Sequence, residues 1–517
     1  MGHRVARAIG ILAVIAGAAV GALPATAQTT PAAGTTLRVG TPALAPTRGN
    51  VFSTFGLPSM YSWYAMFDPL TVMDLSGRAQ PALAVSWKNT SPTTWEFKLR
   101  EGVTFSNGEP LNAQAVIDTI NWLQSPEGNA KGASIAARVK FITRTRAIDA
   151  TTVELTTEKP DPIVPNLIGI MLVVPSKAWR DAGLEGFTTN PVGTGPYRQV
   201  TWTGDKAEFT AFTQSWRKPK IANLLLAELP EQATRVQALQ SGQIDVMLQL
   251  TANNLDTVRK MGGVVDINLA PDVLSLAFTQ VNAKEGVDVT PYKDRRVRQA
   301  LNHAVDKQAI EKSIMANGVM GKVASQGMPS TGVGYNPTLR PYPYDPALAR
   351  KMLSEAGYDN KLSFKVEIVE GGNFDLYQQV ALDLATVGVT MTVIPSTFAT
   401  RLRNMRDILW DSAVWQYNWN VAPAMDGITA MYNHSCNKAG KPYLCDAVQQ
   451  KMIDQISVEL DPAKRLSMLQ ELVKLQRDEA VNLFLFENTD VNALSPKVKN
   501  FRFVNRYIAY HDIELVD

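Results

Sequence analysis

The stretch Ser412–Gly427, SAVWQYNWNVAPAMDG, carries side chains suited to gripping a small molecule. Trp415, Tyr417 and Trp419 alternate with Gln416, Asn418 and Asn420, and Asp426 closes a Pro-containing turn. If the segment is extended, alternation at period two puts the three rings on one face. Rings for apolar walls and amides for direction are what a concave binding site needs. A half-buried strand with an aromatic face has the same pattern. Taken alone, the stretch leaves both readings open.

Reactive chemistry is harder to find. The histidines are His3, His303, His434 and His511, and no two stand at metal-ligand spacing. There is no His-Glu-x-x-His and no Gly-x-Ser-x-Gly elbow. His303 lies among Arg298, Asn302 and Asp306 on a polar helix side, as a surface group would. His434 precedes Cys436 and could serve as a ligand to a metal chelate, but a zinc site with both cysteines lacks a fourth partner. Nothing singles out a carboxylate pair of the glycosidase kind. The chain is therefore expected not to be an enzyme and to need no cofactor and no resident metal.

The elements that hold the aromatic stretch begin with the ends of the chain. His3, Arg4 and Arg7 precede an uncharged run from Ala8 to about Val20, and Leu23–Ala27 ends in a small-x-small pattern. This is a secretory signal peptide over residues 1–27, with cleavage expected after Ala27. The apolar run is too short to span a bilayer, and no cysteine stands there to take a lipid. A periplasmic, unanchored protein is expected. Losing Arg4 and Arg7 takes the basic side chains from 51 to 49, against 48 acidic ones. So balanced a charge offers no case for nucleic acid or an anionic membrane. Cys436 and Cys445 lie close together in an exported chain, where a local disulfide is the natural reading and two buried thiols the alternative.

Strand and helix signals alternate along the rest. Thr36–Gly40 reads as the opening strand, and Asn50–Asp68 as a ring-rich loop entering a helix, with Phe55, Tyr61 and Trp63. Trp87–Arg100 reads as a hairpin, and Asn112 as the N-cap of a helix burying Val116, Ile120 and Leu123. Thr151–Thr156, Tyr197–Trp202 and Ala207–Phe212 alternate as strands. Glu231–Gln240 is helical, with Gly242 at its C′ position and Ile244–Leu248 as the following strand. Asp294 and Asp306 open helices. Leu362–Val369, Leu376–Thr386 and Val389–Ile394 form a β-α-β unit, Pro462–Asp478 is an amphipathic helix and Asn482–Phe486 a buried strand. The alternation implies an α/β protein of two lobes.

Several of these segments, in order, resemble one family. Pro81–Gly108 with Leu111–Ile120 behind it, Asn190–Tyr197 (NPVGTGPY), Arg235–Val246, Asp294–Ile310 and Gly334–Tyr358 look like the extracytoplasmic solute-binding proteins of ABC transporters, in the dipeptide/oligopeptide/nickel class, family 5. The resemblance implies a periplasmic-binding-protein clamshell of the cluster C type, with an extra domain inserted in the first lobe. Residues 35–68, 192–276 and 488–517 would build lobe I, residues 69–191 the inserted domain, and residues 277–487 lobe II. A monomer would capture a peptide or peptide-like solute between the lobes and present it to an inner-membrane permease. Closure follows from the ligand's better fit to the closed form.

By the same resemblance Trp415, Tyr417, Asn418, Trp419, Asn420 and Asp426 line the cleft from lobe II, and Phe55, Tyr61 and Trp63 from lobe I. The disulfide Cys436–Cys445 would staple the loop after the binding stretch. Two departures bear on the ligand. Dipeptide-binding members carry an aspartate for the peptide ammonium where this chain has Asn418. The loop matching Gly371–Tyr377 supplies an arginine for a carboxylate in some relatives, and here it reads GGNFDLY, with Asn373 as its polar site residue. Asp426 could replace the acid, and Arg401, Arg403 or Arg406 the base. The dense rings would also suit a sugar-containing or opine-like solute, and His434 a metal chelate.

Overall fold

The computed structural model describes residues 32–54, 56–369 and 372–516. The expected signal peptide, Phe55 and the pair 370–371 lie outside the described residues. The expected α/β alternation is present throughout. Ten strands form a mixed sheet whose path runs Val414–Gln416, Val264–Phe278, Asn482–Leu494, Val246–Met247, Ala32–Thr41, Ile221–Glu228, Lys206–Ala211 and Tyr197–Trp202. Gly321–Val323 and Trp419–Asn420 pair off this path, with the second and third of its strands in the order Asn482–Leu494 and Val264–Phe278. The opening strand runs parallel to Ile221–Glu228 and to Val246–Met247, and the other pairs are antiparallel.

Two strands dominate this sheet. Val264–Phe278 and Asn482–Leu494 pair from Val264↔Leu494 to Ala277↔Asn482, with breaks in register between Leu269 and Val273 and between Leu274 and Ser275. On one side of the breaks Val491 and Ala493 join a small core with Val236, Leu239, Met247 and Val258. On the other, Leu276, Phe278, Leu483 and Leu485 join a core with Val297, Leu301, Val366 and Val380. The breaks mark where the pair passes from one core to another.

Separate from this sheet, Ala84–Ser91, Thr94–Leu99, Thr152–Thr157 and Ile142–Asp149 make a four-stranded antiparallel sheet in that order. Helix Ala113–Gln124 begins where expected, Asn112 Oδ1 accepting from the Ala115 amide at 3.0 Å. Its buried side contains Val116, Ile120 and Leu123, the i, i+4, i+7 spacing of one helix face. The β-α-β unit also forms, Leu362–Val369 and Val389–Ser396 pairing in parallel around helix Phe374–Ala385. Asp294, Asp306, Asp345 and Asp461 each cap a helix through the side chain, satisfying amides that would otherwise have no partner.

A candidate interlobe solute site

The aromatic stretch folds against itself. Val414–Gln416 and Trp419–Asn420 pair separately with Val264–Phe278, and Tyr417 and Asn418 fall between them. Trp415 stacks between Trp410 at 5.2 Å and Tyr417 at 4.7 Å. Trp419 lies parallel to the His434 imidazole at 3.9 Å, and Gly327 approaches the indole so closely that a Cβ there would lie 2.4 Å from it. Trp415 and Trp419 are each 1% exposed. The two rings expected at a cleft are enclosed by protein neighbours in this structure. Protein rings cover the faces that a sugar or an apolar ligand would need, so the basis for a sugar-containing or opine-like solute falls away.

His434, the residue open to a metal chelate in the sequence, is enclosed in the same way. It is 1% exposed, Nε2 donates to the Asn418 carbonyl at 3.3 Å, and Nδ1 faces the Tyr443 hydroxyl. A carbonyl can only accept, so Nε2 carries the proton and Nδ1 accepts. Burial pushes its pKa down to about 3, and with both nitrogens engaged it has no lone pair for a metal chelate. No group of three His, Cys, Asp or Glu among the described residues could hold a metal ion.

Other expected residues also serve the core. Tyr61 and Trp63 are buried; Tyr61 Oη accepts from Gln249 at 3.1 Å, and Trp63 Nε1 donates to the Arg48 carbonyl at 2.6 Å. Asp426 forms a two-bond pair with buried Arg465, both contacts 2.7 Å, and caps helix Gly427–Asn433. It is not free to replace a ligand-binding acid. Asn373 is exposed at the start of helix Phe374–Ala385. Asn418 donates to Asp272 Oδ2 at 3.1 Å, and Gln416 donates to it. The disulfide Cys436–Cys445 is formed. Its loop holds the end of helix Phe398–Asp407, Lys438 Nζ donating to the Met405 carbonyl at 2.8 Å and the Lys441 amide to that of Arg406 at 3.1 Å.

Of the expected ligand residues among those described, Asn420 alone lines the cavity that lies between segments far apart in sequence. That cavity holds about 200 Å³. Met60, Tyr64, Met73 and the hairpin tip Val504–Tyr507 form one wall, and Asn420, Ala422, Pro423 and Met425 the other. A second space of about 630 Å³ shares Val72, Met73, Val504 and Tyr507 with the first and reaches Trp216 and His511. Beside the cavity, Asn166 Nδ2 bridges two segments, donating to the Gly77 carbonyl at 2.8 Å and the Ala424 carbonyl at 2.7 Å.

The hairpin tip was missed by reasoning from sequence, and its chemistry is distinctive. Strands Phe503–Val504 and Tyr507–Ile508 are joined by Asn505 and Arg506, both at positive φ (49° and 69°). That is the two-residue turn asparagine favours in its first position, and the Val-Asn-Arg-Tyr pattern was its only signal. Asn505 Nδ2 donates to the Asp74 carbonyl at 2.6 Å, while its buried Oδ1 has no donor among the described residues. Arg506 reaches the crossing strands, contacting Asp490 at 3.1 Å and Asp272 at 3.6 Å. Those carboxylates raise its pKa against burial, whereas burial raises that of Asp272. Across the cavity, Asn420 Oδ1 accepts from the Ala422 amide at 2.8 Å, and no bond from its Nδ2 forms among the described residues. Both amides border the same cavity, with Asn505 Oδ1 buried and the Asn420 side chain exposed.

Comparison with known proteins places this geometry. The family of bacterial extracellular solute-binding proteins, family 5, matches residues 78–439. The glutathione-binding protein GsiB of Escherichia coli (strain K12) is 28% identical over 310 residues, spanning 58% of this chain and 57% of that protein. The structure of HbpA2 from Haemophilus parasuis superposes with a TM-score of 0.81 at 20% identity, over 93% of this chain and 100% of that one. DppA from Helicobacter pylori, solved in complex with the peptide STSA, gives 0.74 at 20% identity, over 93% and 98%. The match therefore spans little more than half of the curated relative, whereas the fold is shared over nearly the whole chain. That fold is the expected periplasmic-binding-protein type. No helix among the described residues is long and apolar enough to cross a membrane.

Proposed function

The chain belongs to the bacterial extracellular solute-binding proteins, family 5, and from that premise we propose that it captures a peptide or peptide-like solute between its two walls and delivers it to the permease of an ABC importer. The observation that carries the solute class is the facing pair of amides. Among the described residues no donor reaches the buried Asn505 Oδ1, and the exposed Asn420 side chain leaves its Nδ2 open to a ligand. A peptide group carries one N–H and one C=O and satisfies both at once.

The lobes are part of the proposal. Lobe I comprises residues 35–68, 192–276 and 488–517, the inserted domain residues 69–191, and lobe II residues 277–487. The self-contained four-stranded sheet within residues 84–157 supports the insertion. The register breaks near residues 269–275 support a crossing point between lobes. On this reading the protein works as a monomer in the periplasm after cleavage behind Ala27, and its Asn166 contacts help to close the lobes. Tryptophan fluorescence and thermal unfolding with a pool of di- to tetrapeptides test it. Saturable stabilisation with every peptide recovered intact is the expected result. No stabilisation by any pool member, or cleavage of the peptides, overturns it.

A further inference from the structure

The cavity at the two amides holds about 200 Å³, below the roughly 300–1,000 Å³ of small-molecule sites, whereas the space beside it holds about 630 Å³. A solute held at the amides must place most of its bulk elsewhere. The two spaces border one another along Val72, Met73, Val504 and Tyr507, each of them partly exposed. The larger one lies between the hairpin formed by Thr71–Met73 and Ala79–Pro81 and the segment 502–511. The turn of that hairpin is fixed from outside. Asn505 holds the Asp74 carbonyl at 2.6 Å and Asn166 the Gly77 carbonyl at 2.8 Å. Gly77 has a φ of 76°, and a Cβ there would lie 2.4 Å from the Met425 carbonyl oxygen. The wall that the turn presents is therefore set by the fold.

The charged groups of the larger space already have partners. Asp68 takes the Arg217 guanidinium at 2.5 Å, Trp216 Nε1 at 2.9 Å and Thr194 Oγ1 at 2.8 Å. Asp74 accepts from the Ser76 amide, the Arg78 amide and Gln80 Nε2, at 2.8, 3.0 and 2.8 Å. Arg502 pairs with Asp512. Burial, then the Arg217 charge 3.5 Å away, pushes the His511 pKa down to about 4, so the ring is neutral at pH 7. Arg217 Nε is buried without an acceptor among the described residues, but Asp68 matches its charge, so it suits a neutral acceptor. The rest of the wall is mostly apolar: Val72, Met73, Pro81, Val504 and Ala509, with the half-buried Trp216 indole, against which the Arg100 guanidinium packs at 4.4 Å. Leu75, in the hairpin turn, is 59% exposed and extends this wall. A lone exposed leucine is ordinary, but this one adds to an apolar surface beside the candidate solute site. We propose that the larger space receives an uncharged apolar side chain, aliphatic or aromatic, of the solute whose peptide group lies at Asn505 and Asn420. This rests on the peptide reading above and deepens it by naming the side-chain class. An apolar group gains by leaving water in proportion to the area it buries. A charged one would enter a space whose counter-charges are already engaged.

The test is calorimetry on the full exported protein with trialanine and with the tripeptides that carry Phe, Lys or Glu at one of its three positions. At one position Phe is expected to bind at least tenfold more tightly than Ala, with Lys and Glu no better than Ala there. Gln80→Trp, at an exposed position lining the space, is expected to abolish the preference for Phe with an unchanged unfolding midpoint. Leu75→Ser is expected to reduce that preference severalfold. Equal binding of Phe and Ala at all three positions, a Lys or Glu that matches Phe, or a preference that survives Gln80→Trp overturns the apolar pocket while leaving the peptide reading intact. A second readout needs no peptide. The neutral fluorophore N-phenyl-1-naphthylamine is expected to brighten saturably on wild type and not on Gln80→Trp. No brightening on wild type, or equal brightening on both, overturns the pocket even if no tripeptide binds, a result that would by itself remove the peptide reading.

Discussion

The aromatic stretch 410–443 and the hairpin 503–508 differ in what their side chains leave unmatched. In the first, the rings of Trp410, Trp415, Tyr417, His434 and Trp419 cover one another; Trp415 Nε1 and His434 find partners inside the fold, and the buried indole N–H groups of Trp410 and Trp419, which line no cavity described above, have none among the described residues. In the second, few rings are present, but an amide oxygen is buried without a donor at the wall of a cavity. Aromatic density reports how much surface a segment can bury. Unmatched polar groups report where something is missing. A ligand site is better found by the second criterion, because a buried acceptor without a partner is costly unless a ligand supplies one.

This contrast predicts a division between stability and binding. The largest loss should come from Trp419→Ala, which removes a ring stacked on His434 and wedged against Gly327. Urea denaturation is expected to show about 3–5 kcal/mol of destabilisation, and a fall in peptide affinity without loss of stability would return this ring to the site. Asp426→Ala strands the buried Arg465 charge and should cost about 3–5 kcal/mol, again in unfolding rather than in binding.

Acid should act through the same core. His434 has its folded pKa pushed down to about 3 from an unfolded value near 6.5. Between these values the unfolded chain holds a proton that the folded chain lacks, so stability rises with pH and is lost as pH falls below about 6.5. The slope should approach about 1.4 kcal/mol per unit from this one group. His434→Gln measured at pH 7 and pH 5 tests it: a wild-type loss over that interval no larger than the variant's would mean the imidazole is not held neutral.

The smallest effect on folding should accompany a clear effect on binding. Asn505→Gly removes the unmatched oxygen from the hairpin tip and keeps a residue suited to positive φ; peptide affinity is expected to fall by about 1–2 kcal/mol, read by calorimetry, and stability by only about 1 kcal/mol, from the lost Nδ2 bond to the Asp74 carbonyl. The opposite outcome, a large loss of stability with affinity retained, would reverse the roles assigned to the two regions.

Much of the framework was legible before any coordinates. Asn112, Asp294 and Asp306 mark helix starts because a side-chain oxygen must satisfy local amides, and each does so. Helix Pro462–Asp478 has the bounds its apolar spacing implied. The strand Val264–Phe278 was not legible, although it is the longest in the protein: Pro271 interrupts its pattern, and the register breaks around that proline accommodate it. Asn482–Leu494 was read only to Phe486, since its remaining residues are mixed in polarity and are buried by partners far away in sequence.

The sequence by itself determined the α/β class, the family resemblance, the helix caps and the nearness of the two cysteines, because these depend on residues within a few turns of one another or on their order. Only the tertiary structure decided which side of each ring is covered. Trp415 and Trp419 carry the same sequence pattern whether a solute or Trp410 and His434 lies against them. Asn505 and Asn420 stand 85 positions apart in the chain, and nothing local marks one as an acceptor and the other as a donor across a common cavity. Period-two spacing determines which residues share a face. What that face meets is set by long-range pairing, here by two crossing strands and a hairpin near the end of the chain.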